Sequence, residues 1–235
     1  MVEVLIDGGI ARIFLNRPEK VNALSFRLLD DLKRAFQDVS QKDSIRVAVL
    51  AGRGRHFSGG ADIHEMSRTT VEKIHAACRA IRAAPFPVVA SLHGVVIGGA
   101  LEIAASCDLR AAAEGTRFSM PEVKLGIPSV VEAALLPRLI GAGRARWLVM
   151  TGEAIDASKA LDWGLIDRIG DVEDLLKNLL AVDREALRVQ KQLCQLWEEA
   201  PLSVSVAKSI ERFAEVVNRR VIARQPLSGG KSSAP

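Results

Sequence analysis

Apolar residues recur along this chain with two periods. Residues 2–6 and 10–16 are short runs rich in β-branched side chains, and Asp7-Gly8-Gly9 between them reads as a hairpin turn. Pro18 stops the second run. Ser25 is placed to cap a helix over 26–39, where Leu28, Leu29, Leu32, Ala35, Phe36 and Val39 form one apolar stripe. Residues 45–51 are continuously apolar apart from Arg46, which predicts a strand buried on both faces. Helical spacing returns over 71–82 and ends before Pro85 and Pro87; 88–92 is another buried strand. Two glycines, Gly98 and Gly99, then open a short apolar helix. Strands are expected over 109–113 and from Thr116 to Pro121, and a turn at Gly126-Ile127-Pro128. Helices follow over 131–140 (broken near Pro137), 142–151 and 157–163, with a short strand in 164–169. From Val172 onward the pattern is helical, including 185–198 and 203–221, and 227–235 reads as a loose tail.

Strands that alternate with helices and then give way to helices alone predict an α/β class. The expected architecture is a mainly parallel sheet covered by helices, followed by a helical C-terminal section. No short internal repeat or clear linker is visible, and the expected divisions are 1–170, 171–226 and 227–235.

Composition narrows the functional classes. With 235 residues and 49% apolar content, a sizeable core is available. No apolar run reaches membrane-spanning length, because His93, Glu102, Asp108 and Arg110 interrupt the most apolar region. Acidic residues stand where a signal peptide would be basic, and Cys78, Cys107 and Cys194 lack paired spacing. Both features point to a reducing, cytoplasmic location. A net charge of +4 fits a phosphorylated small molecule as well as a nucleic acid. With 4% aromatics and no tyrosine, a base-stacking platform is disfavoured.

Two glycine-bearing segments, 57–62 and 97–100, can offer backbone N–H groups to a ligand. Two carboxylates, Glu102 and Glu122, stand in mostly apolar surroundings. Two N–H donors converging on one oxygen make an oxyanion hole, and paired carboxylates divide acid and base roles when burial separates their pKa values. The four histidines, His56, His64, His75 and His93, lack zinc-site spacing, and no GxSxG elbow is present. Gly230-Lys231-Ser232 is not a phosphate-binding loop, since Gln225 replaces the required glycine.

Four pieces in order resemble the crotonase (enoyl-CoA hydratase/isomerase) family. They are Asn16-Arg17-Pro18 with Asn22-Ala23-Leu24-Ser25; Phe57-Ser58-Gly59-Gly60-Ala61-Asp62-Ile63; Gly98-Gly99-Ala100-Leu101-Glu102; and Pro121-Glu122-Val123-Lys124-Leu125-Gly126-Ile127. The resemblance covers about residues 2–170 well and the C-terminal helices loosely. It implies a ββα spiral core over 1–170 and a helical trimerisation region over 171–226, so that the chain assembles as a trimer or a dimer of trimers.

By the same resemblance, Ala61 and Gly99 donate to the thioester oxygen, and Glu102 and Glu122 are the acid–base pair of a hydratase. Lys20, Val21, Ala23 and Leu24, the run of Gly60, Ala61, Asp62, Ile63 and His64, and Gly99 with Pro121 line the CoA and acyl site. No metal is implied, nor any cofactor beyond the CoA of the substrate. The implied activity is water addition to an enoyl-CoA, with double-bond isomerisation as the alternative. Where many relatives carry a glycine-rich turn, this chain has Ser129-Val130-Val131-Glu132-Ala133-Ala134, which reshapes the acyl pocket. Glu132 reads there as a helix N-terminal charge, ahead of a third catalytic carboxylate.

Overall fold

The computed structural model describes the backbone of residues 1–224 and the side chains of residues 1–219. The expected tail over 227–235 lies outside the described residues. Two compact units are present, the first Met1–Val182 and the second beginning at Asp183.

In the first unit, β1 (Val2–Asp7) and β2 (Ile10–Leu15) form the expected hairpin. Helix α1 (Phe26–Ser40) begins at Ser25, whose side chain accepts from the Leu28 N–H, a cap worth about 1 kcal/mol. Its buried residues are the six of the stripe read from the sequence. There follow β3 (Val47–Gly52), α2 (Arg68–Ala83), β4 (Val88–Leu92), β5 (Val95–Ile97) and α3 (Gly99–Ala105). Next come β6 (Leu109–Ala112), β7 (Arg117–Ser119), a 3-10 turn at Glu122–Leu125 and another at Val131–Leu135. The unit continues through α4 (Leu136–Ile140), α5 (Ala142–Thr151), β8 (Ile155–Asp156), α6 (Ala157–Trp163), β9 (Arg168–Ile169) and α7 (Glu173–Ala181).

These strands build two sheets where the hydrophobic pattern predicts one. The larger runs β1-β2-β3-β4-β6-β9 and is parallel beyond its first hairpin; the smaller runs β5-β7-β8. Along β4 and then β6, the chain passes through the large sheet, turns, and adds a strand to the small one. Single bridges extend the small sheet from Val96 to Ser58, and another joins Ala61 to Leu24. This is the ββα spiral that the resemblance implies. Its repeat lies in the backbone path, and strands of two or three residues are too short to show alternation.

The large sheet is covered on both faces. Ala48, Leu50, Val88 and Ala90 face the main core with α1, α2 and α3. Val47, Val49, Val89 and Ala111 instead pack with Val172 and Leu176 around α7. Two boundaries differ from expectation. The helix expected over 131–140 starts as a 3-10 turn, with Pro137 in the first turn of α4, where its missing N–H leaves no bond unmade. The strand expected over 164–169 shrinks to Arg168–Ile169.

The second unit is a pair of packed helices, α8 (Arg184–Glu199) and α9 (Leu202–Arg224). Asp183 caps α8 through the Ala186 N–H, and Trp197 Nε1 donates to Ser209 Oγ at 3.0 Å. Leu202, Val206, Ile210 and Phe213 nevertheless remain exposed. No described helix is long and apolar enough to cross a membrane.

Candidate active site

The spiral brings the two glycine-bearing segments side by side. Ser58 N donates to Val95 O and Ile97 N to Ser58 O, while Leu24 N donates to Gly60 O. Gly60 has φ +92°, and a Cβ there would stand 2.6 Å from Ile97 O, so only glycine permits this approach. Gly98 has φ +54°, and its missing Cβ leaves room for Glu122 Oε1, which would lie 2.5 Å away. Ala61 and Gly99 line one cavity of about 50 Å³. Among the described residues neither N–H meets an acceptor, Gly99 being the first residue of α3.

An ion pair anchors this floor. Arg17 Nη1 reaches Asp62 Oδ2 at 2.7 Å and also donates to Ala23 O, and the guanidinium holds the Asp62 carboxyl below its ordinary range. Asp62 Oδ1 in turn accepts from the His64 N–H. Asn22 is fully buried; its amide donates to the carbonyls of Arg53, His56 and Phe57 and accepts from Arg17 N. These four bonds hold Val21 and Asn22 at positive φ, 54° and 50°.

Both candidate carboxylates line the same cavity. Glu102 is buried within α3, and Ala133 N–H donates to its Oε1 at 3.1 Å. Burial pushes its carboxyl up to about 8. The Ala133 hydrogen bond opposes that rise, and the neighbouring charges of Glu122 and Glu132 add to it. The site therefore favours the protonated form of Glu102. Glu122 is half-buried at the start of its 3-10 turn, and Ser129 Oγ donates to its Oε2 at 3.0 Å.

The opposite wall is formed by Val71 and Ile74 of α2 and by Ile127, Pro128, Val130 and Val131. Val131 has φ +42°, an outlier for a β-branched residue that costs on the order of 1–3 kcal/mol. Glu132 stands in the first turn of the 3-10 helix, as a helix N-terminal charge would, but it also makes a contact of its own. It is buried, with Oε1 2.7 Å from His75 Nδ1 on α2 and Oε2 lacking a partner.

Of the residues singled out from the sequence, Ala61, Gly99, Glu102 and Glu122 meet at the cavity. Leu24 is buried beneath Gly99, while Lys20, Val21, Ile63 and His64 are exposed, and Pro121 precedes Glu122 at the partly covered rim. Ala23, Gly60 and Asp62 shape the backbone around Ala61 instead of lining the cavity. Positioning roles for Arg17, Asn22 and Ser129 were not assigned from the sequence. Arg17 and Asn22 lie in quoted motifs, and Ser129 opens the 129–134 segment that departs from the family pattern. A groove of about 590 Å³ between α1 and α2 holds none of these residues.

Comparison with known proteins fits this geometry. A short-chain-enoyl-CoA hydratase of Clostridium acetobutylicum is 30% identical over 225 residues, covering 89% of this chain and 86% of that one. A trans-2-decenoyl-[acyl-carrier-protein] isomerase of Streptococcus mutans is 32% identical over 198 residues, covering 79% and 74%. The crystal structure of an enoyl-CoA hydratase from Thermoplasma volcanium superposes with a TM-score of 0.87 at 29% identity, covering 92% of each chain. The enoyl-CoA hydratase/isomerase family model matches residues 6–216. The chain is a member of this family and has the crotonase fold.

Proposed function

We propose that this protein is an enoyl-CoA hydratase, adding water across the 2,3 double bond of an acyl-CoA thioester. The observation that carries the reading is the meeting of Glu102 and Glu122 in one cavity with Ala61 and Gly99. Water oxygen bonds to C3 as one carboxylate takes its proton. The C2=C3 electrons move toward C1, and the thioester oxygen becomes an enolate oxygen held by the Ala61 and Gly99 N–H groups. The enolate then collapses, and C2 takes a proton from the other carboxyl. A protonated Glu102 beside Glu122 supplies one acid and one acceptor before substrate arrives. The Lys20–Leu24 loop and residues 60–64 form the CoA side of the site. The small cavity suits a short acyl group.

Isomerisation is the second reading, favoured by the name of the Streptococcus mutans relative. It requires a single carboxylate to carry a proton between C2 and C4, a role that falls to Glu122. Crotonyl-CoA and a 3-enoyl-CoA separate the two. Hydration removes the conjugated-thioester absorbance of the first, and isomerisation creates it from the second. If neither absorbance changes, both readings fail for short acyl groups. Self-association in threes belongs to the same reading, through the exposed Leu202, Val206, Ile210 and Phe213, and is tested by light scattering. A reducing cytoplasmic location is likewise part of it, supported by the buried Cys78 and Cys107, which are thiols and not a disulfide.

A further inference from the structure

We propose that Glu132 and His75 form a clamp that holds the strained 130–133 turn against α2 and seats its Ala133 N–H on Glu102, making both of them positioning residues for the acid–base pair. The clamp deepens the hydratase reading and rests on it for its catalytic consequence. Three independent observations meet in it. First, Val131 is held at φ +42°, so something outside the turn must fix it. Second, the Glu132 carboxylate is nine-tenths buried. One oxygen is 2.7 Å from His75 Nδ1, and the other is without a partner. A half-satisfied buried carboxylate weakens a fold, so stability alone does not account for it. Third, the next residue supplies the N–H shared between Val130 O at 3.0 Å and Glu102 Oε1 at 3.1 Å. The clamp and the catalytic hydrogen bond are thus adjacent along the backbone.

His75 lies on the same helix as Val71 and Ile74, which line the cavity. The clamp therefore also sets the distance between the α2 and 127–131 parts of the apolar wall around the acyl site. The titratable groups about Glu132 are His75 and Cys78 from α2, Glu102 from α3, and Glu122 from the neighbouring turn. Burial pushes the Cys78 thiol up, and the Glu132 charge pushes it further. Glu132 thus acts on Glu102 in two ways: its hydrogen bond places a donor, and its charge favours the protonated form.

The test uses the full chain and compares wild type with His75→Ala, Glu132→Ala and Glu132→Gln. Hydrogen exchange of the Ala133 amide is measured by NMR, together with the pH profile of crotonyl-CoA hydration. His75→Ala leaves the Glu132 carboxylate buried without a partner, so thermal unfolding is followed for every variant, and the comparison of Glu132→Gln with wild type decides the case where an alanine variant unfolds. The clamp predicts Ala133 exchange ~10-fold faster in both alanine variants, with near wild-type exchange in Glu132→Gln, which retains the acceptor for His75. It further predicts that kcat falls ~10-fold in the alanine variants while KM changes less than ~3-fold. In Glu132→Gln, the titration limb belonging to Glu102 moves to lower pH, because a neighbouring negative charge is gone. Ala133 exchange within ~2-fold of wild type in both alanine variants overturns the clamp. If wild type fails to hydrate crotonyl-CoA, the functional reading is what fails, and the exchange comparison still decides the clamp.

Discussion

The floor and the roof of this cavity are built by different means. The floor, made of Ser58–Ala61 and Ile97–Gly99, is backbone laid beside backbone, fixed by strand-like hydrogen bonds and by glycines that admit no side chain. The roof, residues 127–133, has no regular partner. Side chains hold it: Ser129 on Glu122, Glu132 on His75, and Glu102 on the Ala133 N–H. A floor of this kind can only be kept or broken. A roof held by side chains can be altered one residue at a time, which makes it the place where substrate and rate are tuned on a constant fold.

Changes to the chemistry itself have the largest expected effect. Glu102→Gln and Glu122→Gln each lower kcat by ~10²–10⁴ in the hydration assay, because each removes a proton-transferring group. Gly98→Ala comes next, with a loss of ~10²–10³ in kcat/KM. The new methyl meets Glu122 Oε1 and the backbone must remain at φ +54°, so Tm falls as well. Asp62→Ala strips the partner from a largely buried Arg17, with side-chain exposures of 17% and 11% in the pair. It costs about 1–3 kcal/mol in urea unfolding and loosens the Ala61 segment.

In the roof the effects are graded. Ser129→Ala removes one hydrogen bond to Glu122, lowering kcat ~10-fold with little change in Tm. A separate effect concerns stability against pH. The folded Glu102 pKa of about 8 lies above its unfolded value, so the folded state binds the extra proton. Its contribution is full below the unfolded pKa and is lost as pH rises toward about 8. Glu102→Gln escapes that loss, so its Tm relative to wild type rises between about pH 5 and pH 8. A gap that stays constant over this range would mean that Glu102 is not held protonated.

The floor was legible in the sequence residue by residue, the roof only as a segment, 129–134, that reshapes the acyl pocket. Gly60 and Gly98 are required by local backbone geometry, and that requirement leaves a readable pattern beside Ala61, Gly99 and Glu102. The α1 stripe and its Ser25 cap are likewise local. By contrast, the contact of Glu132 with His75 spans 57 residues and sits in a 3-10 turn with no periodicity, so the sequence shows Glu132 only as a helix N-terminal charge. The second sheet was missed because its strands are two or three residues long and pair only once the spiral has formed. Ser129 stood out only as part of the departing segment 129–134, because its hydrogen bond depends on where Glu122 Oε2 comes to lie.

The central claim is that Glu102 and Glu122 act together to add water. Its most direct test is to incubate crotonyl-CoA in oxygen-18 water with wild type, Glu102→Gln and Glu122→Gln, and to weigh the acyl product. One labelled oxygen at C3 with wild type, and label entering ~10²–10⁴-fold more slowly with either variant, is the predicted result. Label incorporation at the wild-type rate in either variant would contradict the paired mechanism.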